Sequence, residues 1–229
     1  MRVRRTSLLA GAKGVSGHAV IVDVFRAFTT AAFCVAAGAR EIVLVARPED
    51  ALAVRHRDPL VFLTGEIEGK PIAGFDAGNS PSAIEKLDLS GRRVVQRTSS
   101  GTQGVVLASR AADEVVLASF VIAGATARYL ARRAEEVTLV AMGEGGVEPA
   151  AEDEACAGYL EDLLCGSRPD LASVLAALSR FEATEWPWWF PRRDAELALD
   201  ADRFDFALPV VREGGLLVAR PVAAAAEPR

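Results

Sequence analysis

Short runs of β-branched and other apolar residues recur along the chain, and alanine-rich segments of helical length lie between most of them. The runs are AVIVDV, EIVLVA, LVFLTG, RRVVQR, EVVLAS and EVTLVA, and the segments between them include residues 27–38, 101–112, 120–134 and 152–165. Strands that are apolar on both faces are buried in sheets that helices cover on each side. The alternation therefore predicts an α/β fold with a mostly parallel or mixed central sheet and helices on both faces.

The chain of 229 residues contains no low-complexity linker, which predicts a single α/β unit over residues 1–229. Two intertwined α/β lobes, about 1–110 and 111–229, are the alternative. The last apolar runs, FDFALPV and GLLVARPV, predict a hairpin or an extension of the sheet edge. Residues 223–229 are expected to form a disordered tail.

Charge and cysteine content restrict the partners and the compartment. The formal net charge is −5, and a nucleic-acid partner would require a clustered basic face, so no nucleic-acid binding is expected. The three cysteines, Cys34, Cys156 and Cys165, do not suit a disulfide framework and indicate a reducing compartment. No apolar stretch is long enough to span a membrane, and the one after MRVRR is too short for a signal peptide. These features predict a cytoplasmic protein without a membrane partner.

A bound metal is expected to be held by carboxylates. The chain has two histidines, His18 and His56, and no C-x-x-C spacing, so a zinc-type cluster is not predicted. Carboxylate oxygens are ligands that suit Mg²⁺.

Polar residues follow several predicted strands, at the end where open α/β sheets bind ligands. After VIV come Asp23, Arg26, Thr29 and Thr30. In one interpretation the acid binds Mg²⁺ or attacks phosphorus, while the arginine and the hydroxyls hold a phosphate. In the other, Asp23 and Thr30 cap the next helix and Arg26 pairs with a surface acid. The D-x-D-x-T pattern of haloacid-dehalogenase phosphatases is not met, because Phe25 stands in place of the second acid.

Two further loops contain helix starts that can hold an anion. Residues 64–84, TGEIEGKPIAGFDAGNSPSAI, carry Glu66, Glu68 and Asp76, and then Asn79 or Ser80 as N-cap before Pro81. Residues 97–104, RTSSGTQG, place Ser99, Ser100, Gly101 and Thr102 where the backbone can curl around a phosphate. The spacing of a P-loop is absent, so ATP binding is not indicated. The alternative for both loops is a surface turn with a good helix cap.

Two more segments leave alternatives open. Glu152, Asp153 and Glu154 occupy the first turn of a predicted helix, where they complement the helix dipole or where one of them ligates Mg²⁺. Residues 185–190, EWPWWF, hold all three tryptophans and predict a lid over the site, a subunit contact or a plug at the edge of the core.

Four segments resemble, in the same order, the signature regions of a known family. VIVDVFRAFTT, GEIEGKPIAGFDAGNSP, TSSGTQG and EPAAEDEACAGYLEDLL are similar to those of the 2-phosphosulfolactate phosphatase family. The resemblance covers roughly residues 20–165. It implies an α/β fold, Mg²⁺ dependence and hydrolysis of 2-phosphosulfolactate to sulfolactate and phosphate, a step toward coenzyme M. Two positions depart from the family pattern, since Ser100 and Ile122 stand where the family tends to have Asn.

The resulting hypothesis is an Mg²⁺-dependent phosphoric monoester hydrolase that acts on a small anionic phosphate ester. Its candidate residues are Asp23 and Arg26 for catalysis, Asp23, Glu66, Asp76 and Asp153 for the metal, and Thr29, Thr30, Asn79, Ser80, Ser99, Ser100, Gly101 and Thr102 for the phosphate. The two departures motivate two alternatives: a non-catalytic phosphate- or sulfonate-binding protein of the same fold, and a related enzyme on another phosphorylated hydroxyacid. A homo-oligomer is also expected.

Overall fold

The computed structural model describes residues 1–167, 169–179 and 186–223. The strands are β1 (Arg2–Ser7), β2 (His18–Val22), β3 (Glu41–Leu44), β4 (Phe62–Ile67), β5 (Lys70–Pro71), β6 (Arg93–Arg97), β7 (Glu114–Ala118), β8 (Glu136–Ala141), β9 (Phe206–Glu213), β10 (Leu216–Ala219) and β11 (Val222–Ala223). The α-helices are α1 (Leu8–Ala12), α2 (Ala27–Ala36), α3 (Pro48–Arg57), α4 (Pro81–Ile84), α5 (Gly101–Ala108), α6 (Ala123–Ala131), α7 (Ala151–Leu164), α8 (Leu171–Leu178) and α9 (Arg192–Ala198). Glu185 and residues 224–229 of the predicted tail lie outside the described residues.

One mixed sheet runs through the molecule in the order β1-β8-β2-β7-β9-β10-β3-β6-β4-β5. Strands β1, β8, β2 and β7 are parallel to one another. Strands β3, β6 and β4 form a second parallel set, and the antiparallel hairpin β9–β10 joins the two sets. The prediction of a mixed sheet is confirmed. The last two apolar runs form a hairpin near the middle of the sheet rather than an extension of its edge.

Helices cover both faces of the sheet, because successive side chains of a strand point to opposite sides. On β2, Ala19 and Ile21 belong to a buried cluster that includes residues of α2 and α5. Val20 and Val22, on the opposite face, pack in a second cluster with residues of α6 and α7. The predicted layering of helices on each side of the sheet is confirmed.

Twist explains how the loops after the two parallel sets meet. In the sheet order the two sets run in opposite directions, and β6 lies five steps from β2. Neighbouring strands rotate by roughly 20 to 25° at each step, so five steps turn the strand direction by on the order of 100°. Gln96 Nε2, on β6, donates to the carbonyl of Ala27 at the start of α2 at 2.7 Å. The carboxyl ends of β2 and β6 therefore approach the same crevice.

Strands from the two halves of the chain are interleaved, since β1 and β2 pair with β7 and β8 while the hairpin β9–β10 reaches β3. The suggestion of two lobes stays a prediction. Among the described residues, no helix combines the length and the apolar character that crossing a membrane requires.

Candidate active site

Four carboxylates from separate parts of the chain converge beyond the carboxyl ends of the strands. Asp23 follows β2, Glu66 lies on β4, and Glu152 and Asp153 lie on the first turn of α7. Glu66 and Glu152 are close enough to raise the pKa of Asp23 by charge repulsion, and Asp23 does the same to Asp153. The structure thus brings together three of the four predicted metal ligands, and it adds Glu152.

Backbone N–H groups hold the Asp23 carboxylate in place. Asp23 is 4% exposed, and its Oδ1 accepts the N–H of Ala27 at 2.9 Å. A second hydrogen bond comes from the N–H of Gly101. A Cβ on Gly101 would lie only 2.7 Å from Asp23 Oδ2 and 2.8 Å from the Ala27 side chain. Glycine therefore opens α5 because the carboxylate needs this close approach to the backbone.

Burial dominates the protonation of Asp23. Removal from water raises the pKa of Asp23 from 3.8 to about 7, and repulsion from Glu66 and Glu152 adds to the rise. The two backbone hydrogen bonds oppose the shift in pKa without cancelling it. No cationic side chain among the described residues forms an ion pair with this carboxylate. A cation placed beside Asp23 would therefore favour its ionised form.

Asp153 ties two of the converging loops together. It is 3% exposed, its Oδ1 accepts the N–H of Val24 at 2.7 Å, and its Oδ2 accepts the N–H of Gly143 at 2.8 Å. Burial and then the charge of Asp23 raise the pKa of Asp153 well above its ordinary value. Each oxygen keeps a second lone pair, so the contacts fix the carboxylate without excluding a cation.

Glu152 is the acid that the sequence left undecided. It is partly buried, and desolvation followed by repulsion from Glu144 raises the pKa of Glu152. Its side chain accepts no hydrogen bond from another described residue, whereas the neighbouring Glu154 accepts one from the Ser7 hydroxyl. Three consecutive acids on a helix start give no signal of which one faces the site. The fold alone distinguishes them.

Glu66 fixes two loops against each other. Its Oε2 accepts the N–H of Gly69 at 2.7 Å and the Ser99 hydroxyl at 3.0 Å, and its Oε1 accepts the N–H of Ser99. Glu66 is 6% exposed. This acid organises the turn after β4 and the loop after β6 in addition to facing Asp23.

Most of the predicted phosphate-binding hydroxyls have partners within the protein. Thr29 Oγ1 donates to Val24 O, Ser100 Oγ to Gly143 O and Thr102 Oγ1 to Thr98 O, at 2.8, 2.8 and 2.9 Å. Ser80 is the N-cap of α4, as one of the two alternatives predicted, and Ser99 binds Glu66 as described above. In contrast, Thr30 Oγ1 and Asn79 Oδ1 are buried without a hydrogen-bond partner among the described residues. The role of each of these residues toward phosphate stays a prediction.

Arg26 is held by a segment far away in the sequence. The side chain is 4% exposed, and its Nη1 donates to Asp194 Oδ2 and to the Trp189 carbonyl, both at 2.7 Å. The ring of Phe190 lies 4.2 Å from the guanidinium carbon. The alternative in which Arg26 pairs with a surface acid is wrong, because its partner Asp194 is fully buried. Sequence reasoning missed Asp194, since RRDAELA has the composition of an exposed helix.

Asp76 lies outside this group of contacts. Its Oδ2 accepts the N–H of Leu63 at 2.7 Å and pairs with the Arg55 guanidinium. The structure does not bring Asp76 to the other predicted metal ligands, so its assignment to the metal stays a prediction without support from these contacts.

The tryptophan segment lies beside the turn after β4. The Trp189 indole packs so closely on Gly69 that a Cβ there would lie 2.8 Å from its Nε1, and Lys70 Nζ lies 5.3 Å from the same ring. Trp188 is 77% exposed. A cavity of about 380 Å³ lies between α8 and α9, and its lining includes Trp186 but none of the four converging carboxylates. It is therefore separate from the carboxylate site.

The chemistry of the converging side chains fits Mg²⁺, although the ligand set is incomplete. Asp23 and its carboxylate neighbours Glu66, Glu152 and Asp153 repel one another when ionised. A bound hard cation would reduce this repulsion. Among the described residues, no three His, Cys, Asp or Glu side chains are arranged as a ready-made metal site. Mg²⁺ usually binds through one or two carboxylates and keeps several waters or substrate phosphate oxygens. An incomplete set of protein ligands is therefore compatible with Mg²⁺ binding.

Comparison with known proteins gives a consistent family. A model of 2-phosphosulpholactate phosphatase matches residues 6–185, which include all four motif segments. A probable 2-phosphosulfolactate phosphatase of Deinococcus radiodurans is 42% identical over 147 residues, covering 64% of this chain and 61% of that protein. Those of Caldicellulosiruptor saccharolyticus and Thermus thermophilus are 34% and 40% identical, over 67% and 63% of this chain and 65% and 60% of their own lengths. The chain thus spans less than two thirds of the length of these relatives.

Proposed function

The chain belongs to the 2-phosphosulfolactate phosphatase family, and on that premise we propose that it hydrolyses a small anionic phosphate monoester in the presence of Mg²⁺. The relatives' names make 2-phosphosulfolactate the first substrate to consider, with sulfolactate and inorganic phosphate as products. One observation carries the proposal: a buried Asp23, with its pKa raised to about 7, faces further carboxylates and no paired cation among the described residues.

Asp23 and Glu152 are the residues that would hold the metal. Asp23 is fixed by two backbone N–H groups, and Glu152 has no hydrogen bond to another described residue. Glu66 and Asp153 accept backbone N–H groups and so hold the surrounding loops in place. When bound, Mg²⁺ would neutralise phosphoryl oxygens and orient the attacking group.

The phosphate would be held by donors that the fold leaves without partners. Arg26 keeps N–H groups beyond those it gives to Asp194, Trp189 and Gly69. Asn79 is 5% exposed, and its side-chain amide makes no hydrogen bond to another described residue. Its Nδ2–H groups can therefore donate to a phosphate, whereas its Oδ1 can only accept, for example from a substrate hydroxyl. An arginine fork beside an amide is suited to planar or tetrahedral oxyanions. The engaged hydroxyls of Thr29, Ser100 and Thr102 would instead stabilise the loops.

Two routes of attack remain open for Asp23. As a nucleophile, its carboxylate oxygen would bond to phosphorus while the ester oxygen leaves, and water would later release the phosphate. As a metal ligand, it would help to orient a water that attacks phosphorus directly. Both routes require the ionised carboxylate, which a cation near Asp23 would favour at neutral pH.

A phosphate- or sulfonate-binding protein without turnover is the second candidate. The observation that favours it is the internal use of the loop hydroxyls, with Ser100 Oγ donating to the carbonyls of Met142 and Gly143. Such a protein would bind the anion and release no product.

Phosphate release by the full chain from a panel of esters, with and without Mg²⁺, tests the proposal. The panel contains 2-phosphosulfolactate and other phosphorylated hydroxyacids. A phosphate monoester of an uncharged alcohol serves as the control. We expect release that needs Mg²⁺ and is fastest with an acidic group beside the ester. Binding of these anions without release from any of them would favour the second candidate.

A further inference from the structure

Arg26 is held from three sides, and the contacts come from different parts of the chain. Nη1 donates to Asp194 Oδ2 and to Trp189 O at 2.7 Å, and Nη2 donates to Gly69 O at 3.3 Å. The Phe190 ring covers one face of the guanidinium at 4.2 Å. Since a guanidinium has five N–H groups, the Nε–H and one Nη2–H are left without an acceptor among the described residues. The contacts fix the plane of the group and leave two donors for a ligand.

Asp194 is the centre of this arrangement. It is fully buried, and its Oδ1 accepts the Ser80 hydroxyl at 2.9 Å and the N–H of Ser82 at 3.0 Å, while Oδ2 accepts Arg26. One carboxylate therefore joins the loop after β2 to the start of α4. Asn79, whose Nδ2–H groups donate to no other described residue, directly precedes Ser80.

Stability alone is a weak reason for such a pair. Desolvation of two buried charges offsets much of their attraction, so apolar residues of similar volume often stabilise a fold equally well. A buried carboxylate with a fixed set of donors instead specifies one orientation of its partner. The family match ends at residue 185, so this carboxylate comes from a part of the chain beyond the match.

We propose that Asp194 is a positioning residue that sets Arg26 and the turn at Asn79 for the oxyanion of the substrate. This inference rests on the proposed function, in which Arg26 and Asn79 bind the phosphate ester. Asp194 itself touches no ligand and acts through the other two residues.

The test compares Asp194→Asn with Asp200→Asn in the full chain. Asp200 pairs with Arg203 at 2.7 Å on the surface and serves as the matched control. We expect kcat/KM of Asp194→Asn to fall by on the order of 100-fold, as misplacement of a binding group does, and Asp200→Asn to match the wild type. In an Arg26→Met background the same Asp194 change should have a clearly smaller effect, because the part that acts through Arg26 is already lost and only the part through the turn at Asn79 remains. Full additivity of the two changes would overturn the proposal.

Calorimetric titration with inorganic phosphate in the presence of Mg²⁺ separates this inference from the proposed function. Asp194→Asn should weaken phosphate binding by roughly tenfold or more, the value of a charge-assisted hydrogen bond. A wild type that binds phosphate and hydrolyses no ester would overturn the proposed function only. A wild type that neither binds phosphate nor hydrolyses an ester would overturn both. Unchanged phosphate affinity in folded Asp194→Asn would overturn the positioning role.

If Asp194→Asn does not fold, Ser80→Ala provides the measurement. It removes one donor to Asp194 Oδ1 and keeps the ion pair with Arg26. All three tryptophans lie at residues 186–189, beside Arg26, so their emission reports whether this segment has moved. We expect weaker phosphate binding together with a shifted emission, and an unchanged phosphate affinity in the folded variant would overturn the proposal.

Discussion

Asp23 is an acid that burial keeps partly protonated near neutral pH. Its pKa of about 7 follows from desolvation first and from the charges of Glu66 and Glu152 next. Such a residue is costly to the fold when ionised, and a strongly shifted acid in a crevice is a candidate functional group. The same group should therefore control both stability and activity.

The contribution of Asp23 to the unfolding free energy of the metal-free protein should fall as pH rises from about 4 to 7. In this range the folded Asp23 holds a proton that the unfolded chain, with a pKa of 3.8, has released, so folding is favoured at the lower pH. The full effect is on the order of 4 kcal/mol. Asp23→Asn removes the titration, so its stability relative to the wild type should improve between pH 5 and pH 8. Denaturant unfolding in a chelator measures this, and a pH-independent difference would contradict the assignment.

Gly101→Ala should damage the site through a single methyl group. The new Cβ would lie 2.7 Å from Asp23 Oδ2 and 3.0 Å from the Phe28 ring, in a fully packed region. Overpacking of this kind costs roughly 1 to 3 kcal/mol, and displacement of Asp23 should reduce Mg²⁺-dependent phosphate release. Gly158→Ala is the control, because its Cβ meets only the flexible Arg5 guanidinium at 3.3 Å. Equal melting temperatures of the two variants would refute this prediction.

Glu152→Gln should change the pH dependence of activity, whereas Glu154→Gln should not. Loss of the Glu152 charge lowers the pKa of Asp23, so the acidic limb of the activity profile should move to lower pH. Mg²⁺ affinity should also fall by at least roughly tenfold, because loss of a direct ligand should cost no less than loss of a group that only orients a ligand. Glu154 is the control because it binds the Ser7 hydroxyl instead. Identical pH profiles and Mg²⁺ dependence for both variants would exclude Glu152 from the site.

At the scale of elements, apolar patterning predicted most of the sheet and its helices. The six β-branched runs each overlap a strand, and the segments at 27–38, 101–112, 120–134 and 152–165 each overlap a helix. Strand β1 was not predicted, because its run RVRRTS lies at the sheet edge and is mostly polar. Hydrophobic periodicity detects a strand through its buried face, and this edge strand buries too few apolar side chains to be detected.

Long-range pairing accounts for the rest of what the sequence could not predict. The loop positions of Asp23, Glu66 and Ser99 follow from their place after apolar strands, and the structure does bring them together. The Arg26–Asp194 pair joins residues 168 positions apart, and no local pattern records it. Local sequence also does not predict whether Glu152 or Asp153 faces Asp23, because the orientation of α7 decides this.

The hairpin β9–β10 should be essential to the sheet, because it joins the two parallel sets. Leu208 is fully buried on β9, opposite Leu117 of β7, while Val211 on the same strand is 46% exposed. Leu208→Ala should lower the unfolding free energy by about 2 to 5 kcal/mol. Val211→Ala should stay within about 0.5 kcal/mol, as surface changes do. Equal losses in denaturant unfolding would show that the hairpin is peripheral.

For the whole molecule, the proposal of a phosphate ester as the ligand class rests on family membership together with the site geometry. The family match covers residues 6–185, and the structure adds Asp194 from beyond that range. The cytoplasmic location, the homo-oligomer and the absence of nucleic-acid binding stay predictions. The first and third depend on composition and charge, and a subunit contact could involve exposed groups such as Trp188, which is 77% exposed.

The most direct test of the carboxylate site is phosphate release from 2-phosphosulfolactate as a function of Mg²⁺ concentration, for the wild type, Asp23→Asn and Glu154→Gln. We expect saturable Mg²⁺-dependent release by the wild type and Glu154→Gln, and loss of release in Asp23→Asn at every Mg²⁺ concentration, with the variant still folded. Release by Asp23→Asn at the wild-type rate, or wild-type release that a chelator does not affect, would contradict the central role of Asp23 and its metal.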